Sequence, residues 1–122
     1  MPWFPPVIQE LGRLPPLRII IADDATEFRR SVRAMMALER DIEIVAVARD
    51  GQEAVELAQK FRPDLILMDI NMPRLNGLDA IRAVNQVSPN TVCVVVSSDG
   101  EQETLKRAMQ AGVREYLVKP FG

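Results

Sequence analysis

The sequence predicts an α/β fold, a parallel sheet whose buried strands alternate with amphipathic helices. Two observations predict this class. From residue 17 onward, five short apolar runs follow one another along the chain, and the four segments between them carry apolar residues at helical spacing. Runs that are apolar throughout are typical of strands covered on both faces. Because connections between parallel strands are right-handed, the predicted architecture is a doubly wound sheet.

The first half of the chain supplies three strands and two helices. A strand at 18–22 ends at two aspartates, and a helix at 26–38 follows, with Phe28 and Val32 spaced for one helical face. Asp50 is the expected N-cap of the next helix, and a proline ends that helix. The remaining predicted elements of this half are strands at 42–48 and 64–68 and a helix at 52–61.

The second half continues the alternation with two helices and two strands. A loop at 70–77 contains Pro73, Asn76 and Gly77, which are turn-forming residue types. Gly112 is placed as the C′ residue that ends the last helix. The predicted helices are 78–84 and 101–111, and the predicted strands are 91–96 and 115–119.

Composition and charge exclude several classes of function. The 122 residues fit one domain, and a net charge of −2 gives no positive field for nucleic acid, so this chain alone is not expected to bind DNA. No apolar stretch reaches the ~20 residues of a membrane span. The chain has no histidine and a single cysteine, Cys93, which excludes histidine-based triads and an internal disulfide. A cytoplasmic location is expected by elimination.

Polar residues follow four of the five predicted strands at the point where each strand ends. Asp23 and Asp24 end the first strand, Asp69 ends the third, Ser97 the fourth and Lys119 the fifth. In an open α/β sheet the ligand site lies outside the carboxyl ends of the strands. We therefore expect these five side chains to converge on one edge of the sheet.

The charges of these residues predict a metal-assisted site. Two carboxylates ~4 Å apart repel by about 4 kcal/mol at an effective dielectric of 20, so Asp23, Asp24 and Asp69 need positive partners. Lys119 supplies one charge, and Mg²⁺ suits oxygen ligands beside a phosphate. Asp69 is the candidate nucleophile toward phosphorus. A competing explanation for Asp23 and Asp24 is that one of them caps the following helix, a task for which Thr26 competes.

Four segments resemble the receiver domain of bacterial two-component response regulators, and the resemblance runs from residue 17 to 121. It implies the flavodoxin-like strand order 2-1-3-4-5, with a receiver domain at 17–122 behind a proline-rich extension at 1–16. It also implies that the domain catalyses its own phosphorylation and hydrolysis. The segments that carry it are Ile21-Ala22-Asp23-Asp24, Leu67-Met68-Asp69-Ile70-Asn71-Met72-Pro73, Val96-Ser97-Ser98 and Tyr116-Leu117-Val118-Lys119-Pro120-Phe121.

The resemblance also implies roles for individual residues. Asp24 and Asp69 would bind Mg²⁺ directly together with the backbone carbonyl of Asn71, and Asp23 would assist through water. Lys119 would pair with a phosphoryl oxygen. The phosphodonor would be a sensor histidine kinase or a histidine phosphotransfer protein.

Two further residues are implied to act as a switch. The Ser97 hydroxyl would turn toward the phosphoryl group, and the Tyr116 ring would turn inward with it. For Tyr116 the alternative is an ordinary strand aromatic with its hydroxyl in water. Asn71 and Asp99 would influence how fast the phosphoryl group is lost, and the peptide bond before Pro120 would be cis.

The resemblance is incomplete, because receivers continue into a fifth helix that is missing here. One face of the sheet is then expected to be partly bare, which favours a homodimer through that face or through the region of strands 4 and 5. Alternatively, residues 1–16 cover the vacant place, since Val7, Ile8, Leu11 and Leu14 share one helical face. A third interpretation is a fragment of a longer regulator with an unrelated leader.

Two other functions compete with the phosphorylated switch. A pseudo-receiver would bind a protein partner without phosphorylation, but it predicts a damaged set of acids, and the set is complete. A flavin carrier of the same strand order would need a glycine- or hydroxyl-rich phosphate loop after the first strand. Acids occupy that place, so the sequence disfavours flavin.

Overall fold

Five parallel strands form a single sheet of order β2-β1-β3-β4-β5 in the computed structural model, which describes residues 16–38, 41–72 and 75–119. This confirms the predicted fold class and strand order. The strands are β1 Leu17–Ala22, β2 Ile42–Ala48, β3 Leu65–Met68, β4 Val92–Ser97 and β5 Glu115–Val118. The helices within the described residues are α1 Thr26–Met36, α2 Gly51–Phe61, α3 Gly77–Val87 and α4 Gln102–Gln110.

Local hydrogen bonds explain where the helices begin and end. The Asp50 carboxylate accepts the Glu53 N–H at 2.8 Å, which confirms the predicted N-cap of α2. Asn76 caps α3 in the same way through the Asp79 N–H. Gly112 has a φ of +98°, the left-handed conformation that a C′ residue after a helix requires. The sequence therefore sets these helix ends through short-range contacts.

The core consists of one apolar cluster on each face of the sheet. The first contains alternate strand residues such as Ile66 and Val95 with the inner sides of α2, α3 and α4. The second contains the other strand residues with Val32 of α1. On this second face, Val94 and Val96 of β4 are 0% and 1% exposed, so the face is not bare at β4, and the cover that residues 1–16 would provide lies outside the described residues. A homodimer through this face stays a prediction.

Several sequence expectations lie outside the described residues. They concern the proline-rich extension up to residue 15, the turn role of Pro73, and the cis peptide before Pro120. Within the described ranges, no helix combines the length and the apolar character needed to cross a membrane.

Candidate functional site

Three carboxylates and one ammonium group meet at the carboxyl edge of the sheet. Carboxylate oxygens of Asp23, Asp24 and Asp69 all lie within 4.8 Å of one another. The Lys119 Nζ atom lies 2.7 Å from Asp23 Oδ2 and 3.9 Å from Asp69 Oδ2. The structure thus brings together the four charged residues that the sequence placed at this edge.

The Asp23 side chain is held by two contacts that leave it little freedom, and a third contact holds its backbone carbonyl. Its side chain is 1% exposed. Oδ1 accepts the Ala25 N–H at 2.7 Å, while Oδ2 receives the Lys119 ammonium. The Asp23 carbonyl accepts a hydrogen bond from Arg29 Nη1 at 2.6 Å, and Arg29 Nη2 donates to the Thr26 hydroxyl. Asp23 therefore shapes the turn before α1 and pairs with the lysine.

Asp69 follows β3 directly and is 8% exposed. Its Oδ1 accepts the Asn71 N–H at 3.1 Å, which leaves Oδ2 as the oxygen that faces Lys119. Burial raises the pKa of the Asp69 carboxyl, and the neighbouring acids add to this effect. The Asn71 hydrogen bond and the Lys119 charge oppose the rise without cancelling it. The ionised form of Asp69 is thus disfavoured when no cation is bound.

The donor set fits a hard divalent cation such as Mg²⁺. Three carboxylates within 4.8 Å of one another carry three negative charges, and the ammonium of Lys119 offsets only one of them. Repulsion of about 4 kcal/mol per pair at ~4 Å gives this cluster a strong demand for further positive charge. Carboxylate oxygens are the ligands that Mg²⁺ prefers. The direct role of the Asn71 carbonyl stays a prediction.

Ser97 of β4 and Tyr116 of β5 both form hydrogen bonds with the backbone of Asp99. Met68 pairs with Val95, so Ser97 ends β4 close to the level of Asp69. The Ser97 side chain is completely buried, and its hydroxyl oxygen accepts the Asp99 N–H at 3.1 Å. The Tyr116 hydroxyl donates to the Asp99 carbonyl. The backbone of Asp99 therefore links the two predicted switch residues.

Tyr116 differs from an ordinary strand aromatic with its hydroxyl in water, because its hydroxyl bonds to protein. The ring is half-buried and packs against the first core cluster. Burial raises the pKa of the hydroxyl, an effect that a hydrogen bond with Ser97 partly opposes. The hydroxyl has protein partners in this conformation, although its role as a switch stays a prediction.

Two glycines let the loop after Asp69 lie close to the helices beside it. A Cβ atom on Gly77 would come within 2.3 Å of the Asp69 carbonyl oxygen and 2.5 Å of Ile70 Cα. A Cβ atom on Gly51 would come within 1.7 Å of the Leu75 carbonyl oxygen. The sequence identified Gly77 only as a turn residue and missed these backbone contacts. They fix the path of the chain that carries Asp69.

We expect Gly77→Ala to destabilise the fold and to disturb the site. The added methyl group must displace backbone rather than a side-chain end, so overpacking should cost about 2 kcal/mol in free energy of unfolding. That loss corresponds to a melting temperature lower by about 8 °C. Thermal unfolding followed by circular dichroism measures it. Gly100→Ala is the matched control, because its Cβ would meet only Val118 methyl groups at 3.5 Å and 3.6 Å. Equal melting temperatures for both variants would contradict the steric argument.

Sequence reasoning also missed a contact between Lys119 and Phe28. The Lys119 Nζ atom lies 4.0 Å from the centroid of the Phe28 ring. The sequence identified Phe28 only as a residue on the inner face of α1. The helical spacing of Phe28 carries no signal for this contact, because it depends on how α1 sits relative to the end of β5.

Comparison with known proteins agrees with this geometry. The family model for the response regulator receiver domain matches residues 19–122. The transcriptional regulatory protein DegU of Brevibacillus brevis is 40% identical over 103 residues, which cover 84% of this chain and 44% of DegU. The chemotaxis protein CheY of Thermotoga maritima is 36% identical over 104 residues, covering 85% of this chain and 86% of CheY.

A solved structure extends the likeness to three dimensions. The signal receiver domain of the response regulator NarL from Mycobacterium tuberculosis superposes with a TM-score of 0.85 at 28% identity, covering 89% of this chain and 88% of that chain. Receiver domains take up a phosphoryl group on an aspartate in a Mg²⁺-dependent reaction and interact with kinases or phosphotransfer proteins. With a family model and a CheY relative that each cover more than four-fifths of its length, the chain belongs to the response regulator receiver domain family.

Proposed function

We propose that Asp69 is the phosphoryl acceptor of this receiver domain and that Asp23, Asp24 and Asp69 hold the Mg²⁺ ion. One observation carries the proposal. A half-buried lysine ammonium, that of Lys119, lies 2.7 Å from Asp23 and 3.9 Å from Asp69, within a group of three acids. A phosphoryl group entering beside Asp69 would meet this positive charge together with that of the cation. The arrangement therefore suits the binding of an anion that the acids alone would repel.

The reaction forms one bond to phosphorus and breaks another. A carboxylate oxygen of Asp69 attacks the phosphorus atom, and the bond from phosphorus to the donor breaks. The leaving group is acetate when acetyl phosphate is the donor, or an imidazole nitrogen when the donor is a phosphohistidine. Hydrolysis later returns Asp69 and inorganic phosphate. Bound Mg²⁺ supplies charge neutralisation for the transferring group.

The other residues of the site orient and stabilise the transferred group. Asn71 N–H holds Oδ1 of Asp69, which limits rotation of the carboxylate. Lys119 would pair with a phosphoryl oxygen, a role that the 3.9 Å between its Nζ atom and Asp69 Oδ2 supports. The Ser97 hydroxyl would turn from Asp99 to the phosphoryl group as a hydrogen-bond donor. We also propose the carbonyl of Asn71 as a metal ligand.

The signal would leave the domain through α4 and β5. Leu105 and Met109 are one helical turn apart on α4 and are 40% and 51% exposed, while Val118 of β5 is 45% exposed. Tyr116 and Asp99 connect this surface to Ser97. An output domain, a partner protein or a second copy of the chain would recognise the altered surface.

The partners of the domain follow from the same chemistry. We propose a sensor histidine kinase or a histidine phosphotransfer protein as the phosphodonor. Transfer requires the chain to share a compartment with that donor, which supports the cytoplasmic location that the sequence predicts. The chain spans about half the length of the transcriptional regulators that it matches, so DNA-directed output would belong to other domains.

The phosphorylation-independent alternative has less support. A pseudo-receiver has no need for a complete acidic set, yet the three acids lie within 4.8 Å of one another with Lys119 among them. Among residues 16–38, 41–72 and 75–119, no separate feature favours it over the phosphorylated switch.

Acetyl phosphate with Mg²⁺ tests the proposed function. We expect the intact mass to rise by one phosphoryl group, and a chelator to prevent the gain. Borohydride reduction of the acyl phosphate followed by peptide mapping should then mark Asp69. An unchanged mass in the presence of acetyl phosphate and Mg²⁺ would contradict the proposal. Borohydride reduction at a carboxylate other than Asp69 would also contradict it.

A further inference from the structure

The Lys119 ammonium has one partner that carries no charge. Besides Asp23 and Asp69, it contacts the Phe28 ring, at 4.0 Å from Nζ to the ring centroid. The lysine side chain is 21% exposed, and the ring shields part of the ammonium group from water. A cation this close to an aromatic ring is attracted by the negative face of the ring.

The two carboxylate partners of Lys119 are also the groups that the proposed cation would bind. When the charges of Asp23 and Asp69 are shared with a divalent ion, their attraction for the ammonium weakens. The lysine stem has four flexible carbon–carbon bonds and loses its preferred position easily. The Phe28 ring is unaffected by this competition, because it carries no charge that a hard cation would take.

We infer that Phe28 is a positioning residue for phosphoryl transfer, whose ring keeps the Lys119 ammonium beside Asp69 while the acids are engaged with a cation; the inference deepens the proposed function and depends on it. The ring acts through the lysine and touches no reacting atom. A carboxylate in the place of the Phe28 ring would also attract the ammonium, but it would repel the incoming phosphoryl group.

Packing fixes the ring so that it can orient the lysine. Phe28 is half-buried in the first turns of α1 and packs against the second core cluster, which contains Val32 of the same helix. The next residue, Arg29, donates to the Asp23 carbonyl at 2.6 Å. The start of α1 is therefore tied to the same turn that carries Asp23. Of the two partners in the contact, the lysine side chain is the mobile one.

The chain provides a matched control for this contact. Lys60 lies over the ring of Phe61 with 5.3 Å between Nζ and the centroid. Phe61 is also half-buried and ends α2. It directly precedes Arg62, whose carbonyl accepts a hydrogen bond from Arg18 near the amino end of β1, the edge of the sheet opposite the acidic site. Phe61→Leu thus removes a lysine–ring contact and a similar amount of apolar surface away from the proposed chemistry.

The experiment compares Phe28→Leu, Phe28→Tyr and Phe61→Leu in the full chain. We expect Phe28→Leu to lower the rate of phosphorylation by acetyl phosphate and the affinity for beryllofluoride about 5-fold to 10-fold. Phe28→Tyr keeps an aromatic face and should stay within about 2-fold of the unmodified chain, as should Phe61→Leu. Affinity for Mg²⁺, measured by calorimetry, should be unchanged in all three.

A metal-free readout tests the contact itself. In the nuclear magnetic resonance spectrum of the magnesium-free protein, the Lys119 ε-protons should be shifted upfield by the ring current. Phe28→Leu should abolish this shift, and Phe28→Tyr should retain it. An unshifted Lys119 signal in the unmodified chain would overturn the inference.

Three further outcomes would also overturn it. Equal loss of Mg²⁺ affinity, beryllofluoride affinity and melting temperature in Phe28→Leu would show that the ring only supports the fold of α1. Unchanged kinetics in Phe28→Leu, alongside normal phosphorylation of the unmodified chain on Asp69, would end the inference and leave the proposed function standing. No phosphorylation of the unmodified chain would instead remove the proposed function, and the inference with it.

Discussion

Asp69→Asn should abolish phosphorylation by acetyl phosphate and, in the absence of magnesium, raise the melting temperature. The first effect follows because an amide cannot attack phosphorus to form an acyl phosphate. The amide oxygen can still accept the Asn71 N–H that Oδ1 now accepts at 3.1 Å, so the loop geometry should persist. Loss of the mass gain would then reflect chemistry rather than unfolding.

The expected gain in stability follows from the sign of the pKa change. Burial raises the pKa of Asp69 above its unfolded value, so the folded state disfavours the ionised carboxylate. This cost is absent below the unfolded pKa and complete once the pH exceeds the folded pKa. At pH 7 a neutral amide removes the cost. We expect a gain on the order of 1 kcal/mol, or about 4 °C in melting temperature.

Thermal unfolding in a chelating buffer at several pH values measures this effect. The advantage of Asp69→Asn should shrink as the pH falls through the raised pKa of folded Asp69, and it should vanish below the unperturbed aspartate pKa of about 3.9. Asp41→Asn is the control, since Asp41 is an exposed acid beside the amino end of β1. It should leave both phosphorylation and melting temperature unchanged. A lower melting temperature for Asp69→Asn would show that Asp69 stabilises the fold, against the charge argument.

The strands and the charged site could be predicted because their signals are local. A strand buried on both faces is apolar along its whole length, as in β3, where all four residues are buried. The resemblance to receiver domains then implies the strand order, and in an open parallel sheet the carboxyl ends of the strands form one edge where ligands bind. Asp23, Asp69 and Lys119 are brought together by topology alone, so no knowledge of side-chain packing was needed to expect them in one place.

Contacts that depend on how elements pack could not be predicted in this way. The position of Phe28 over Lys119 depends on the placement of α1 across the sheet, and a helical period reports only which side of α1 faces inward. The close approach of Gly77 to the Asp69 backbone likewise depends on where α3 begins relative to β3. A glycine in a loop indicates a turn just as readily as it indicates a position where another backbone segment leaves no room for a Cβ atom.

The end of α3 shows the same limit on a smaller scale. The sequence predicted a helix at 78–84, whereas α3 is Gly77–Val87. The helix continues because the Ser88 N–H still finds the Val84 carbonyl at 2.7 Å. Asn85, within this last turn, donates to the Ala111 carbonyl at 3.0 Å and so joins α3 to the end of α4. The periodicity of α3 cannot predict such a contact, because Ala111 lies 26 residues further along the chain, just after α4.

Lys119→Gln should affect the same two measurements as Asp69→Asn but with the opposite sign for stability. The glutamine amide cannot replace the ammonium charge beside a phosphoryl group, so the rate of phosphorylation should fall by about 10²-fold to 10³-fold. Asp23 would then be an acid of 1% exposure that has lost its partner at 2.7 Å. Leaving a buried charge unpaired is costly, and we expect a loss of about 3 kcal/mol in magnesium-free buffer.

Magnesium should restore part of the stability that Lys119→Gln loses. This effect tests whether Lys119 stabilises the fold through its charge. Without the ammonium the three acids hold a divalent cation more tightly, so Mg²⁺ should raise the melting temperature of Lys119→Gln more than that of the unmodified chain.

Lys119→Arg is the companion variant. It keeps the positive charge near Asp23 and should keep most of the stability, but its planar, forked group differs from a compact ammonium, so phosphorylation should remain slow. A Lys119→Gln protein that melts at the unmodified temperature in chelator would mean that Asp23 needs no cationic partner, and the electrostatic account of the site would then fail.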